Sequence, residues 1–356
     1  MLVNQILLDR NENQYGPSPA CYEVLRKADL EHLSLYSREY TRGRKSELSY
    51  RLSEKMRIPE ERLLLSYGSE DMLKQAVHCY LHPGKTMLLP KQSWWYYKSV
   101  AAEVYGKPVE YPLHARNGQF VYDAGEIVDL YDTYKPDVIL IASPNNPTGN
   151  SIGLDALTAL INHCSSSVII LDEAYTGFSG ESSSHLPHLL SSHERLIVLR
   201  TFSKYYALAG LRIGYACVAQ GLTHLISYSA RYLGYNQLSE RIAIAALDDD
   251  SYYRRISQRM NQDKLLYYEK FHSLNGFTAF LSDANFILVR YPARYKSILQ
   301  QELEKNGIVL KFFEDPVLNN HVRLTLGTEE QNAYVLSCLA TIAEHHIPSI
   351  PLMVKE

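Results

Sequence analysis

The chain is poor in cysteine, with five in 356 residues, at 21, 79, 164, 217 and 338, and no CxxC pair. That excludes a disulfide-stapled scaffold and predicts reduced thiols in the cytoplasm. Long apolar runs are also missing. No stretch approaches the ~20 residues that span a bilayer, and Met1-Leu-Val-Asn-Gln5 lacks the charge and apolar core of a secretion signal. No charge sign dominates either: the net is −3, which argues against nucleic acid or an anionic membrane as partner. There is no internal repeat, and low complexity is confined to serine runs at 165–167, 182–184 and 191–192. His185, His188 and His193 fall in a serine-rich loop and His345-His346 near a C-terminal turn, without cysteines or carboxylates at ligand spacing, so no metal site is expected.

What the chain does have, 46% hydrophobic and 21% charged residues, describes a globular enzyme with room for one large and one smaller domain. Apolar strands at 86–89, 138–142, 168–171 and 196–199 alternate with helical patterns such as 153–163. This alternation predicts an α/β fold, a mostly parallel sheet between helices. Beyond Asp248-Asp-Asp250 a long charged helix leads to separated strands at 286–290 and 322–326, an α+β pattern suited to a small C-terminal domain. The expected division is an arm over 1–35 that packs with the small domain and covers the site, a large domain over 36–245, and a small domain over 246–356.

The most informative segment runs from Arg200 to Tyr215. It joins Lys204 to hydroxyls at Thr201 and Ser203 and to Arg212, eight positions on. Pyridoxal phosphate requires such a set: an amine for its aldehyde, then donors and positive charge for its phosphate dianion. Most lysines are solvated, but Lys204 follows the apolar run 196–199 and precedes Gly210-Leu-Arg212-Ile-Gly214, whose glycines let backbone approach a ligand. Asp172 ends the apolar run 168–171, where α/β sheets bind ligands. Opposite a pyridine nitrogen it would keep that nitrogen protonated and electron-withdrawing. Taken alone, it reads equally well as a turn cap. Asn146 follows the run 138–142 through a proline-rich turn, and its amide, like the Tyr175 hydroxyl, suits a ring oxygen.

These segments fall in one order along almost the whole chain. They are Asn11-Glu-Asn13-Gln-Tyr15-Gly-Pro-Ser-Pro19, Tyr67-Gly-Ser-Glu-Asp71, Ser143-Pro-Asn-Asn-Pro-Thr-Gly149, Asp172-Glu-Ala-Tyr175, the lysine segment, Ala284-Asn-Phe286 and Val322-Arg-Leu-Thr-Leu-Gly-Thr328. In this the chain resembles fold-type-I pyridoxal-phosphate aminotransferases, and most closely the histidinol-phosphate aminotransferase family. The resemblance implies that Lys204 is the Schiff-base lysine and proton-transfer catalyst, with Asp172 on the ring nitrogen and Asn146 and Tyr175 on the ring oxygen. Gly68, Ser69 and Glu70 would offer backbone amides to the phosphate at a helix N-terminus, with Thr201, Ser203 and Arg212 completing the cup. Trp94, or Trp95 one register on, falls where the family stacks an aromatic ring on the cofactor. Tyr40, in preference to Tyr36, matches the tyrosine that reaches a partner subunit's cofactor phosphate, which implies a homodimer with shared active sites. Arg323 falls where a guanidinium fork holds the substrate carboxylate, and Tyr15 and Lys311 fall among the substrate contacts.

The implied function is transamination, from a small amino acid or amino-alcohol phosphate (histidinol-phosphate-like or aromatic) to a 2-oxoglutarate-type acceptor. Three departures suggest a variant amino-group pocket. Lys311 stands where the family commonly has arginine, Tyr205-Tyr206 replaces smaller residues after the lysine, and Trp94-Trp95-Tyr96-Tyr97 is bulkier than usual. The alternative reaction is decarboxylation, as in threonine-phosphate decarboxylases of the same overall pattern. A non-catalytic regulator is the weaker reading, since Lys204, Asp172 and Arg212 are kept together and no basic patch for DNA is present.

Overall fold

The computed structural model describes residues 5–29, 33–180 and 185–347; the serine run at 182–184 lies outside them. The described chain opens with strand β1 (Ile6–Leu8), helix α1 (Pro19–Arg26) and helix α2 (Glu47–Met56), followed by β2 (Leu63–Ser66), α3 (Ser69–Tyr80), β3 (Thr86–Pro90), α4 (Tyr96–Glu103) and β4 (Lys107–Tyr111). A hairpin, β5 (His114–Arg116) and β6 (Gln119–Val121), precedes α5 (Ala124–Tyr134), β7 (Val138–Ala142), α6 (Leu154–His163), β8 (Val168–Asp172), α7 (Leu186–Ser192), β9 (Leu196–Thr201) and β10 (Gly214–Val218). Helices α8 (Thr223–Tyr228), α9 (Gln237–Asp248) and α10 (Asp250–His272) lead to β11 (Thr278–Phe280) and β12 (Phe286–Arg290). Helix α11 (Lys296–Lys305), β13 (Ile308–Phe312), β14 (His321–Thr325) and α12 (Glu329–His346) complete it.

The fold is the α/β architecture that the alternation predicts. Seven strands form one sheet in the order β2-β10-β9-β8-β7-β3-β4. Only β10 runs antiparallel to its neighbours. Strands β7, β8 and β9 are unbroken apolar runs up to their last residues and are buried at every position, as strands covered on both faces must be. A second sheet, β1-β13-β14-β12-β11, is antiparallel except at β1, which pairs parallel with β13. The first strand of the chain therefore belongs to the sheet built by its last hundred residues. Two helices start on reciprocal side-chain caps, Ser46 with Ser49 for α2 and Thr328 with Gln331 for α12.

Two expectations about histidines need correction. His185, His188 and His193 flank or belong to helix α7 rather than a loop, because Leu186, Leu189 and Leu190 recur at helical spacing and are buried. His345 and His346 form the last turn of α12. Among the described residues, His114, Asp123 and Glu126 bring metal-capable atoms together. Each already has a partner: His114 contacts Glu126 at 2.7 Å and Asp123 contacts Arg116 at 3.1 Å. All five cysteines are buried and free. Among the described residues no helix is long and apolar enough to cross a membrane.

Candidate active site

The C-terminal ends of β7, β8 and β9 and the N-terminus of α3 face β13 and β14 across a cavity of about 1130 Å³. Parallel strands leave their chain crossovers at this end, which is why ligands collect there. Asp172 is the last residue of β8, in register with Ala142 of β7 and Leu199 of β9. Its side chain is buried and lines the cavity. Tyr97 Oη donates to Asp172 Oδ2 at 2.9 Å and the Ala174 N–H donates to Oδ1 at 2.9 Å. Burial pushes the carboxyl up to about 6, and these two hydrogen bonds act against the rise by favouring the ion. Glu173, next along the chain, is tied to buried Arg200 at 2.6 Å, so its charge is compensated.

Around Arg212 the backbones close to a point. Gly68 caps α3 at φ 88 with no side-chain cap, leaving the first-turn N–H groups of α3 without one. A Cβ on Gly68 would stand 2.8 Å from Arg212 Nη2, and one on Gly214 would stand 2.6 Å from Ser69 N. Only glycine permits this approach of β10, Arg212 and the helix start. Ser69, Glu70, Thr201, Ser203 and Arg212 line the cavity here. Thr201 Oγ1 lies 2.9 Å from Ser203 Oγ and accepts from Ser203 N at 3.1 Å. Glu70 Oε2 lies 3.8 Å from Arg212 Nη2, so Glu70 brings a carboxylate as well as a backbone amide. Hydroxyls, a guanidinium and a helix N-terminus suit a phosphate dianion. Together with Asp172 and an amine in the same cavity, these residues fit pyridoxal phosphate.

Lys204 lies three residues beyond β9, partly buried, with Nζ 5.8 Å from the centre of the Tyr175 ring. It donates to the Arg10 carbonyl at 2.9 Å. Burial, and then the Arg323 charge, push its ammonium down to about 8. Reactivity toward an electrophile follows the neutral amine, so it should appear at lower pH than for a solvated lysine. In the cofactor-free protein, competitive acetylation read residue by residue by mass spectrometry should reach half-maximum for Lys204 near pH 8. Surface lysines should do so near about 10.4, and a Lys204 profile matching theirs would count against the buried amine.

Arg323 on β14 is buried and charged. Its Nη1 donates to Asn146 Oδ1 and its Nη2 to the Asp9 carbonyl, while Nε has no partner among the described residues. A buried guanidinium N–H left without an acceptor suits a ligand carboxylate. Lys311 is the register partner of Arg323 on β13, and both line the cavity. Trp94 lines it too, partly buried, whereas Trp95 is 67% exposed.

Tyr15 and Tyr40 stand away from this chain's cavity, as the expected reach of Tyr40 into a partner subunit requires. Tyr15 does not line the cavity: burial raises its phenol, which lies near Asp263, Arg259 and Glu329 instead. Tyr40 packs on Tyr232 at 5.6 Å and is 40% exposed, while Tyr36 is 70% exposed; neither lines this chain's cavity. Sequence reasoning missed Tyr97, although its place three residues after Trp94 was a usable signal. The two rings meet edge-on at 5.5 Å, so one segment supplies both an aromatic face and a hydroxyl to the same site. Asn11, which the sequence marks only as part of a motif, donates to Tyr175 Oη at 2.8 Å.

Comparison with known proteins agrees with this geometry. The family profile described as aminotransferase class I and II matches residues 3–339. A histidinol-phosphate aminotransferase from Ruminiclostridium cellulolyticum is 31% identical over 95% of this chain and 92% of its own length. The crystal structure of a histidinol-phosphate aminotransferase from Sinorhizobium meliloti in complex with pyridoxal-5'-phosphate superposes with a TM-score of 0.84 at 21% identity, covering 96% of this chain and 91% of that one. An L-threonine-O-3-phosphate decarboxylase from Porphyromonas gingivalis reaches a TM-score of 0.77 at 18% identity, over 95% of this chain and 99% of that one, so the fold alone does not choose the reaction. The profile over nearly the whole chain and the relative at 31% identity do choose: the chain belongs to the class I and II aminotransferases and is a fold-type-I, pyridoxal-phosphate-dependent aminotransferase.

Proposed function

We propose that the amino donor is a small amino acid or amino-alcohol phosphate of the histidinol-phosphate type, with a 2-oxoglutarate-type acceptor. The observation that carries this reading is the paired cations, Lys311 and Arg323, side by side on β13 and β14 at the cavity. Arg323 takes the carboxylate of an amino-acid donor or of the acceptor through the guanidinium edge that carries its free Nε, and Lys311 takes the anionic end of a phosphate-bearing donor as a point charge. The relatives named as histidinol-phosphate aminotransferases support this choice over decarboxylation. A second donor class, aromatic amino acids, is favoured by Trp94, Trp95, Phe312 and Phe313, which line the same cavity.

Bound pyridoxal phosphate supplies the electron sink for the pair left behind by the departing α-proton. Lys204 Nζ takes that proton and returns it, which is why an ammonium held near 8 matters. With the cofactor bound, Asp172 would hold a proton on the ring nitrogen, and Asn146 and Tyr175 would donate to the ring oxygen. Gly68, Ser69 and Glu70 through their amides, with Thr201, Ser203 and Arg212, would hold the phosphate, and Trp94 would offer its aromatic face to the ring. Residues 36–245 serve as the cofactor-holding domain, and 246–356 with the 1–35 arm close over it and keep water out. Tyr40, exposed on this chain, reaches the phosphate in a second copy, so the working form is a homodimer. The buried free cysteines support a cytoplasmic setting.

Stoichiometric conversion of candidate donors by the loaded enzyme, without acceptor, tests the donor. Histidinol phosphate should yield its carbonyl product in one turnover, read by mass spectrometry. Turnover of aromatic amino acids alone would leave the aminotransferase standing and remove the phosphate-bearing donor. For the dimer, Tyr40→Phe should weaken cofactor retention about tenfold to a hundredfold, the worth of one hydrogen bond to a charged group. Its sedimentation should be unchanged; an active monomer would sink the shared site.

A further inference from the structure

Asn11 is held more completely than any role in a turn requires. It sits in left-handed backbone at φ 55 and is 1% exposed. Each of its four polar groups has a partner. Its N–H donates to Thr325 Oγ1 at 3.1 Å and its carbonyl accepts from Asn285 Nδ2 at 3.2 Å. Its Oδ1 accepts from Thr325 Oγ1 at 3.2 Å, and its Nδ2 donates to Tyr175 Oη at 2.8 Å. Thr325 Oγ1 thus accepts from the Asn11 N–H and donates to Oδ1, the arrangement in which the amide presents its N–H₂ to Tyr175. A phenol oxygen that receives this donor keeps its own proton for another acceptor. Asn146, Lys204 and Tyr175 itself all line the cavity into which that proton can point.

We propose that Asn11 is a positioning residue that directs the Tyr175 hydroxyl proton at the cofactor's ring oxygen. This rests on the reading of Tyr175 as a ring-oxygen donor. The N-terminal arm then takes part in the chemistry through Tyr175 as well as covering the site. Its attachments to Thr325 on β14 and to Asn285 tie the partner of the phenol to the small sheet. Burial raises the Tyr175 phenol, while the Arg323 charge and the Asn11 hydrogen bond favour its ionised form, which fits a donor tuned from this side.

The test is the pH midpoint of the bound cofactor's absorbance in loaded enzyme without substrate. At high pH negative charge on the ring oxygen depends on its donors, so a weakened donor raises the midpoint. Tyr175→Phe should raise it. Asn11→Gly, which suits the left-handed backbone, should raise it by about half a pH unit, the scale of one hydrogen bond. Asn11→Asp keeps the shape but exchanges donor for acceptor, and should raise it more than Asn11→Gly; the part of that rise that passes through the phenol should vanish in a Tyr175→Phe background, leaving only the effect of the added charge. In a Tyr175→Phe background, Asn11→Gly should add nothing. Should Asn11→Gly fold poorly, Thr325→Val releases the amide and should shift the midpoint the same way. No shift in Tyr175→Phe would remove the reading of Tyr175 and this proposal with it. A shift in Tyr175→Phe with none in the Asn11 and Thr325 variants, or equal Asn11→Gly shifts in both backgrounds, would overturn the proposal alone.

Discussion

Lys204→Ala should lower turnover about 10²–10⁴-fold through the lost proton transfer alone, and further through loss of the covalent hold on the cofactor. The expectation rests on position. Lys204 is the lysine that lies beside Tyr175 and Arg323, and its ammonium is pushed down to about 8 by burial. Among the described residues its one hydrogen bond is to the Arg10 carbonyl, so truncation removes an amine from a cavity without opening a hole in the apolar core. The variant should fold, bind cofactor and release it on dialysis. In the wild type, borohydride reduction followed by peptide mapping should find the cofactor on Lys204. A tag on Lys311 or any other lysine would refute the assignment.

Asp172→Asn should cost on the order of 10²-fold or more in rate, the usual scale for a lost charge-stabilising contact. The amide keeps the shape and can still meet Tyr97 and the Ala174 N–H, but it cannot carry the negative charge that holds a proton across from it. The pH behaviour gives a second measurement. In the cofactor-free protein burial raises this carboxyl to about 6, so it is ionised above that value and protonated below it. Cofactor affinity should therefore fall as pH drops through about 6. In Asp172→Asn the affinity should be lower and its fall across the same range shallower, since only the Lys204 and phosphate contributions remain. A variant that keeps normal turnover, or keeps the wild-type pH dependence, would take Asp172 out of this role.

Much of this was readable from the residues. Buried strands β7, β8 and β9 are continuous apolar runs, and their ends carry Asn146, Asp172 and Lys204 within a few positions. Local order along the chain thus predicts the shared edge of a parallel sheet. What stayed hidden depends on contacts between distant segments. Tyr97 reaches Asp172 across 75 positions and Asn11 reaches Tyr175 across 164, so no local pattern could pair them. Tyr15 is a related case: its motif is legible in the sequence, but its phenol lies near residues of α10 and the start of α12, which no local pattern announces.

The pairing of β1 with β13 also bears on the order in which the working site can be made. Residues 68–214, which carry the proposed phosphate cup, Asp172 and Lys204, leave the ribosome well before the last strands. Asn11, in contrast, joins Thr325 across 314 positions, and Arg323 takes the Asp9 carbonyl across the same distance. The beginning of the chain therefore waits through nearly all of synthesis for the strands that hold it. Such long-range closure is slow in folding. A nascent chain released before β14 can gather the residues for a phosphate but has no arginine fork and no anchored arm. On the roles proposed for Arg323 and the arm, substrate recognition therefore waits for the synthesis of β14.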